Sequence, residues 1–249
     1  LLPIRVISLQ RTPERRQAFL ARNGHLPCTF FDAVDGARLT PEDIAATGLF
    51  APGLARTYTP GAYGAALSHW QLWGEAIDGG RPLTVAEDDA VFRHDFADHA
   101  QRLLDGLPVG WDFMLWGWNF DSVLSVHAMP GVSPAAMVFD QAAMRGSLDA
   151  FQALRDPVLA LRLDKCFGIP AYTISPAGAA RLRKLCFPLS ELSVPMPILN
   201  RSFPNLGIDA AMNAAYSNTS SHASFPALVV TCNDARISTI QRQRPSRES

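Results

Sequence analysis

Pro82-Leu83-Thr84-Val85-Ala86-Glu87-Asp88-Asp89-Ala90-Val91-Phe92 is a run of β-formers that ends in three consecutive carboxylates and then turns apolar again. Strand propensity accounts for Leu83 to Val85. It gives no reason for the acids, which repel one another and lose solvation at a strand end. A hard divalent cation relieves that repulsion, because Mg²⁺ or Mn²⁺ prefers carboxylate oxygen and leaves positions open for phosphate oxygens. The stretch reads either as a metal–diphosphate site at the carboxyl end of a strand, where open α/β sheets bind ligands, or as a solvated acidic turn. The rest of the chain decides between them.

At 249 residues, with 48% hydrophobic and 18% charged residues, the chain suits one large domain with an ample core. A net charge of −1 argues against nucleic acid as a partner. Lys165 and Lys184 are the only lysines among 22 basic residues, a bias that reads as genome composition and not as chemistry. Cys28, Cys166, Cys186 and Cys232 show no ligand-like spacing and read as small, mostly buried thiols of a reducing compartment. No apolar run approaches the ~20 residues of a membrane span, and Leu1-Leu2-Pro3 is no signal peptide. The expectation is a soluble, cytoplasmic protein, and the start at Leu1 without Met suggests a trimmed chain.

Upstream of the acids, Ile4 to Leu9 reads as a buried strand, and Thr12-Pro13-Glu14 opens a helix that stops near Asn23-Gly24. Strand, tight loop and helix at the start of a chain is how a nucleotide-binding α/β domain opens, although G-x-G-x-x-G is absent. Arg11, Arg15 and Arg16 crowd that loop, where one of them meets a phosphate or uracil or all form a solvated face. Thr29 to Gly36 is a second strand entering an Asp-Gly turn, with Asp32 and Asp35 as turn acids. Thr40-Pro41 opens a helix ending near Gly48, and Leu49 to Tyr58 reads as loop. Thr59-Pro60-Gly61 opens a helix whose stripe Tyr63, Ala66, Leu67, Trp70, Trp73 and Ile77 is core, with Ser68-His69 beside it. Gly64 and its neighbouring alanines imply close approach by another backbone.

Downstream, a helix is expected from Asp95 to Leu107 and a strand from Trp111 to Gly117. The stretch 121–160 shows only a helical pattern over Gln141 to Leu154. Gly168 to Ile174 reads as a strand, Ser175-Pro176 as the start of a helix to Leu185, and Pro188 to Pro204 as a loop over a site. Asp209 starts a short helix, Ala210 to Tyr216, and Leu228 to Thr231 is a last strand. The domain spans 1–240, and 241–249 is an Arg-rich tail expected to be disordered.

Val6-Ile7-Ser8-Leu9 with Arg11 and Glu14-Arg15-Arg16, then Phe31 to Gly36, resembles the opening of glycosyltransferase family 25, the bacterial lipooligosaccharide galactosyltransferases and related collagen galactosyltransferases. Gly61 to Trp73 is similar to that family's Gly-x-x-Gly-Cys-x-x-Ser-His-x-x-x-Trp helix, with Ala65 in place of Cys. Glu87-Asp88-Asp89 falls on its Glu-Asp-Asp motif. Gly168 to Ser175 resembles its Gly-Thr-x-x-Tyr-x-Ile-Ser segment, Ile169-Pro170 departing. Asp209 and Ser238-Thr239-Ile240 are looser matches.

The resemblance implies a Rossmann-like type A glycosyltransferase fold, a central mixed, mostly parallel sheet flanked by helices. It also implies inverting transfer of galactose from a UDP-sugar to a lipooligosaccharide-like glycan. Asp89 then binds Mn²⁺ or Mg²⁺ with Asp88 beside it, and Glu87 faces the ribose. Ser8, Leu9, Arg11, Arg16 and Ser68 complete the nucleotide-sugar set. His69 bonds the diphosphate or orients a carboxylate, and Asp209 is either the general base or an N-cap. Arg181, Arg183 and Arg242 to Arg247 read as a solvated face before a peripheral contact with an anionic inner-membrane surface. The rival readings are a metal-dependent phosphohydrolase and a catalytically silent nucleotide-sugar or carbohydrate-binding module.

Overall fold

The computed structural model describes residues 3–231. Leu1-Leu2, Cys232, Ser238-Thr239-Ile240 and the tail Gln241 to Ser249 lie outside them.

Strand β1 (Ile4–Ser8) leads through a tight loop to α1 (Pro13–Asn23). Thr12 does not cap that helix as expected; its hydroxyl donates to the Leu9 carbonyl at 3.1 Å. β2 (Cys28–Asp32) returns parallel to β1. Next, α2 (Pro41–Ala46) starts at a full capping box between Thr40 and Asp43, and α3 (Pro60–Gly79) starts at Thr59. β3 (Leu83–Glu87) lies parallel to β1 on its other side, and a turn at Asp88-Asp89 leads to β4 (Ala90–Phe92).

After α4 (Phe96–Asp105) and β5 (Phe113–Leu115), the stretch unreadable from sequence forms a hairpin, β6 (Val123–Met129) and β7 (Ser133–Val138). The single helix expected there is two, α5 (Gln141–Arg145) and α6 (Leu148–Ala153), parted at Gly146-Ser147. β8 (Leu159–Cys166), β9 (Ala171–Ile174) and α7 (Pro176–Cys186) follow. The expected Pro-rich loop contains an antiparallel pair, β10 (Ser193–Met196) and β11 (Arg201–Pro204). Both strands of this two-stranded ribbon are edge strands, the setting in which Pro195 and Pro204 are tolerated. The chain continues through α8 (Ile208–Ala215), β12 (Ser221–Phe225) and β13 (Val229–Thr231), the last paired with β4.

The main sheet has nine strands in the order β2-β1-β3-β9-β5-β12-β8-β6-β7. β1, β2, β3, β5, β6 and β12 run one way and β7, β8 and β9 the other, which makes the sheet mixed and mostly parallel in direction. Side chains alternate across it, as the period of two requires. Val85, Phe113, Leu115 and Tyr172 enter the core beneath α3, α7 and α8. Ala86, Met114 and Ala171 enter the opposite core, with Phe19 of α1 and Phe96 of α4. Burial on both faces leaves the strand ends to carry polar function. The carboxyl ends of β1 and β3 open together beside the start of α1.

Candidate active site

A cavity of about 400 Å³ lies at those strand ends. That volume falls within the roughly 300–1,000 Å³ of small-molecule sites. Its walls include Ser8 and Leu9 from β1 and the following loop, Arg11 and Arg15, Ser68 and His69 of α3, the three acids, and Asp209 of α8. Every site residue expected from sequence is there except Arg16. That guanidinium turns to the Ser8 carbonyl (2.9 Å) and to Asp32 (2.6 Å), and it stacks over Phe30. Asp32 is therefore an ion-pair partner and not the local turn acid expected.

Arg15 replaces Arg16 in the cavity. It occupies the first turn of α1, where the helix dipole disfavours a cation, so its placement calls for acidic neighbours. It has them. Arg15 Nε donates to Asp88 Oδ1 at 2.8 Å, Nη2 bonds the same oxygen, and Asp89 Oδ2 lies 3.8 Å away. Burial opposes the charge of Arg15, but Asp88, Asp89 and Glu87 together raise its pKa above the ordinary value.

Only Glu87 belongs to the strand; Asp88 and Asp89 form the turn, so strand alternation does not set their directions. Asp88 is buried and occupied on both oxygens, Oδ2 accepting from Ser8 Oγ at 2.7 Å. Asp89 accepts from the Thr231 side chain, yet its buried Oδ1 has no hydrogen-bond partner among the described residues. Burial raises the Asp89 pKa, Arg15 opposes that rise and Asp88 adds to it. Glu87 is pushed up to about 8 by burial, with Asp89, Asp209 and Asp88 adding repulsion and Arg15 opposing. Four acidic side chains, Glu87, Asp88, Asp89 and Asp209, thus line the cavity with the half-buried guanidinium of Arg15.

Asp209 is not the N-cap of α8; that place belongs to Gly207. Its carboxylate accepts from the Gly168 N–H at 2.8 Å and from the Ala210 N–H, while burial raises its pKa. Gly168 has φ +80°, and Asn119 fills the place a Cβ would take, so only glycine offers its N–H here.

Ser68 braces the opposite loop. Its hydroxyl donates to Gly64 O (2.8 Å) and accepts from Val34 N–H (2.9 Å). A Cβ on Gly64 would stand 2.4 Å from the Val34 carbonyl, the close approach that the sequence implied. The loop so held presents Asp35, which accepts from Arg11 Nε at 2.7 Å and from Ala37 N–H. His69 is buried beside Tyr172, and desolvation pushes its pKa down to about 4.

Among the described residues no three His, Cys, Asp or Glu side chains converge as a ligand cage. A cation that keeps substrate phosphates and water in its shell needs only one or two carboxylates. Asp89 Oδ1, unpartnered among the described residues and flanked by Glu87 and Asp88, fits that kind of site. Cys28, Cys166 and Cys186 are free thiols, and no described helix is long and apolar enough to cross a membrane.

Comparison with known proteins adds the family. The profile of "Glycosyltransferase family 25 (LPS biosynthesis protein)" matches residues 2–197. "Inactive glycosyltransferase 25 family member 3" of Homo sapiens is 32% identical over 142 residues, 51% of this chain and 24% of that protein. "Procollagen galactosyltransferase 1" of Danio rerio is 31% identical over 124 residues, 45% of this chain and 20% of that protein. The chain thus spans about a quarter or less of the length of these relatives. Among solved structures, mouse xyloside xylosyltransferase 1 in its apo form covers 74% of this chain and 56% of its own at 12% identity, with a TM-score of 0.33.

Proposed function

Since the chain belongs to glycosyltransferase family 25, we propose that it moves a hexose, galactose, from a UDP-sugar to a hydroxyl of a glycan, with inversion and with Mn²⁺ or Mg²⁺. One observation carries this reading. Adjacent carboxylates are treated differently: Asp88 is saturated by Ser8 and Arg15, while Asp89 keeps a buried oxygen without a partner among the described residues. Asp89 would hold the metal, with Asp88 behind it, and the metal when bound supplies Lewis-acid stabilisation of the departing diphosphate.

The chain's own groups do the rest. Arg15 adds a fixed positive charge where the leaving group gathers negative charge. Arg11 and Asp35 mark the rim on the nucleotide side, and Glu87 meets the ribose. Asp209 takes the proton of the acceptor hydroxyl as its oxygen bonds to the anomeric carbon. The bond from that carbon to the diphosphate oxygen breaks, and its electron pair leaves with UDP. A carboxylate whose pKa burial has raised is a stronger base for this step. The acceptor is a bacterial surface glycan, reached at the cytoplasmic face of the inner membrane.

The test is UDP release from a panel of UDP-sugars with Mn²⁺, with and without glycan acceptors. Mn²⁺-dependent turnover of UDP-galactose is expected. UDP binding without turnover of any donor would make the chain a silent module; the human relative's name calls that protein inactive. Phosphate release from simple phosphoesters would favour a hydrolase.

A further inference from the structure

Tyr172 is fully buried on β9, and its hydroxyl lies between two side chains of α3. Trp73 Nε1 donates to Tyr172 Oη at 2.9 Å, and Oη stands 2.8 Å from His69 Nδ1. An indole N–H can only donate, so it occupies a lone pair of the phenol. The phenol proton then needs an acceptor. Among the described residues His69 Nδ1 is the acceptor within reach, and leaving the proton unmatched in this dry position would forfeit its solvation outright. A neutral imidazole that accepts at Nδ1 carries its proton on Nε2. Nε2 has no hydrogen-bond partner among the described residues, and His69 lines the cavity.

We propose that Trp73 and Tyr172 are positioning residues that lock His69 in its Nε2–H tautomer, so that it presents a fixed neutral donor to an anionic ligand in the cavity. Desolvation keeps the ring uncharged, with its pKa near 4, so the donor persists unchanged across neutral pH. A neutral donor adds a directed hydrogen bond without competing for the cation that the acids hold. The identity of the ligand as a nucleoside diphosphate rests on the transferase reading; the tautomer does not.

Long-range ¹H–¹⁵N spectra of the imidazole-labelled chain at pH 7 test it, with the His69 signals assigned by their loss in His69→Gln. An Nε2–H pattern is expected, perturbed when UDP and Mg²⁺ are added. Tyr172→Phe should abolish the fixed pattern and weaken Mg²⁺-dependent UDP binding roughly 3–10-fold. An Nδ1–H pattern in the unmodified chain overturns the proposal, as does Tyr172→Phe with unchanged tautomer and unchanged UDP affinity. Should Tyr172→Phe fail to fold, the spectrum of the unmodified chain decides. An Nε2–H ring in a chain that ignores UDP would contradict the transferase reading and leave the relay standing.

Discussion

On the wall built from β1, α1 and the turn after β3, the Asp88 carboxylate is held by side chains, Ser8 on one oxygen and Arg15 on the other. On the wall built from α8 and the segment after β8, Asp209 is held by main-chain N–H groups, and Phe167 and Phe203, packed on each other, line the same cavity. On the proposed function, the difference separates two tasks. Guanidinium partners cancel charge and fix an anion-and-cation site, which suits a diphosphate with its metal. Backbone dipoles orient a carboxylate without neutralising it, which suits a group that must accept a proton.

The contrast breaks most sharply at Asp89. Asp89→Asn should lower metal-dependent sugar transfer by about 10³-fold or more with the circular-dichroism spectrum unchanged; full turnover of that variant in EDTA would erase the distinction between the walls. Asp209→Asn should lower kcat by roughly 10²–10⁴-fold while UDP–Mn²⁺ affinity stays the same. Retained turnover with ordinary pH dependence would remove Asp209 from the base role. Arg15→Lys keeps the charge and loses the fork that grips Asp88, so UDP affinity should fall about 10-fold in calorimetry. An equal fall in Arg16→Lys would show that the two arginines are not divided as the structure divides them.

The smallest effect is on stability and runs in opposite directions with pH. Glu87 rises from 4.5 to about 8 on folding, so the folded state holds its proton more tightly and stability falls as pH climbs from 4.5 toward 8. His69 drops from 6.5 to about 4, so its contribution is present above pH 6.5 and is lost as pH falls toward 4. In EDTA, Glu87→Gln should therefore raise Tm at pH 8 by roughly 3 °C or more, and His69→Gln should flatten the acid limb. Parallel melting curves for all three chains would contradict both assignments.

Much of this was legible in the sequence, because the wall of β1, α1 and the turn after β3 is made of local signals. A strand ending in acids, a Pro-initiated helix after a short loop, and a Gly-x-x-Gly approach each carry their meaning within a dozen residues. The exception is instructive: Arg15 and Arg16 are neighbours, and only the rotation of α1 decides which one meets Asp88. The difference between Asp88 and Asp89 is likewise tertiary, since it depends on Ser8, 80 residues away. The far half of the sheet was less readable. β6 and β7 hold few strand formers in an edge hairpin, and β12 is Ser221-His222-Ala223-Ser224-Phe225, buried by its neighbours and not by its own composition. β8 did offer a signal, the alternation of Leu159, Leu161 and Leu163 with Ala160, Arg162 and Asp164. Asp209 read equally as cap or base until Gly207 proved to hold the cap position.

Anomalous diffraction from crystals grown with Mn²⁺ and UDP tests the metal assignment most directly. A single manganese peak bonded to Asp89 and to diphosphate oxygens is expected, with Asp88 still clasped by Ser8 and Arg15. UDP bound in the cavity with no manganese at Asp89, or with manganese held elsewhere, would contradict it.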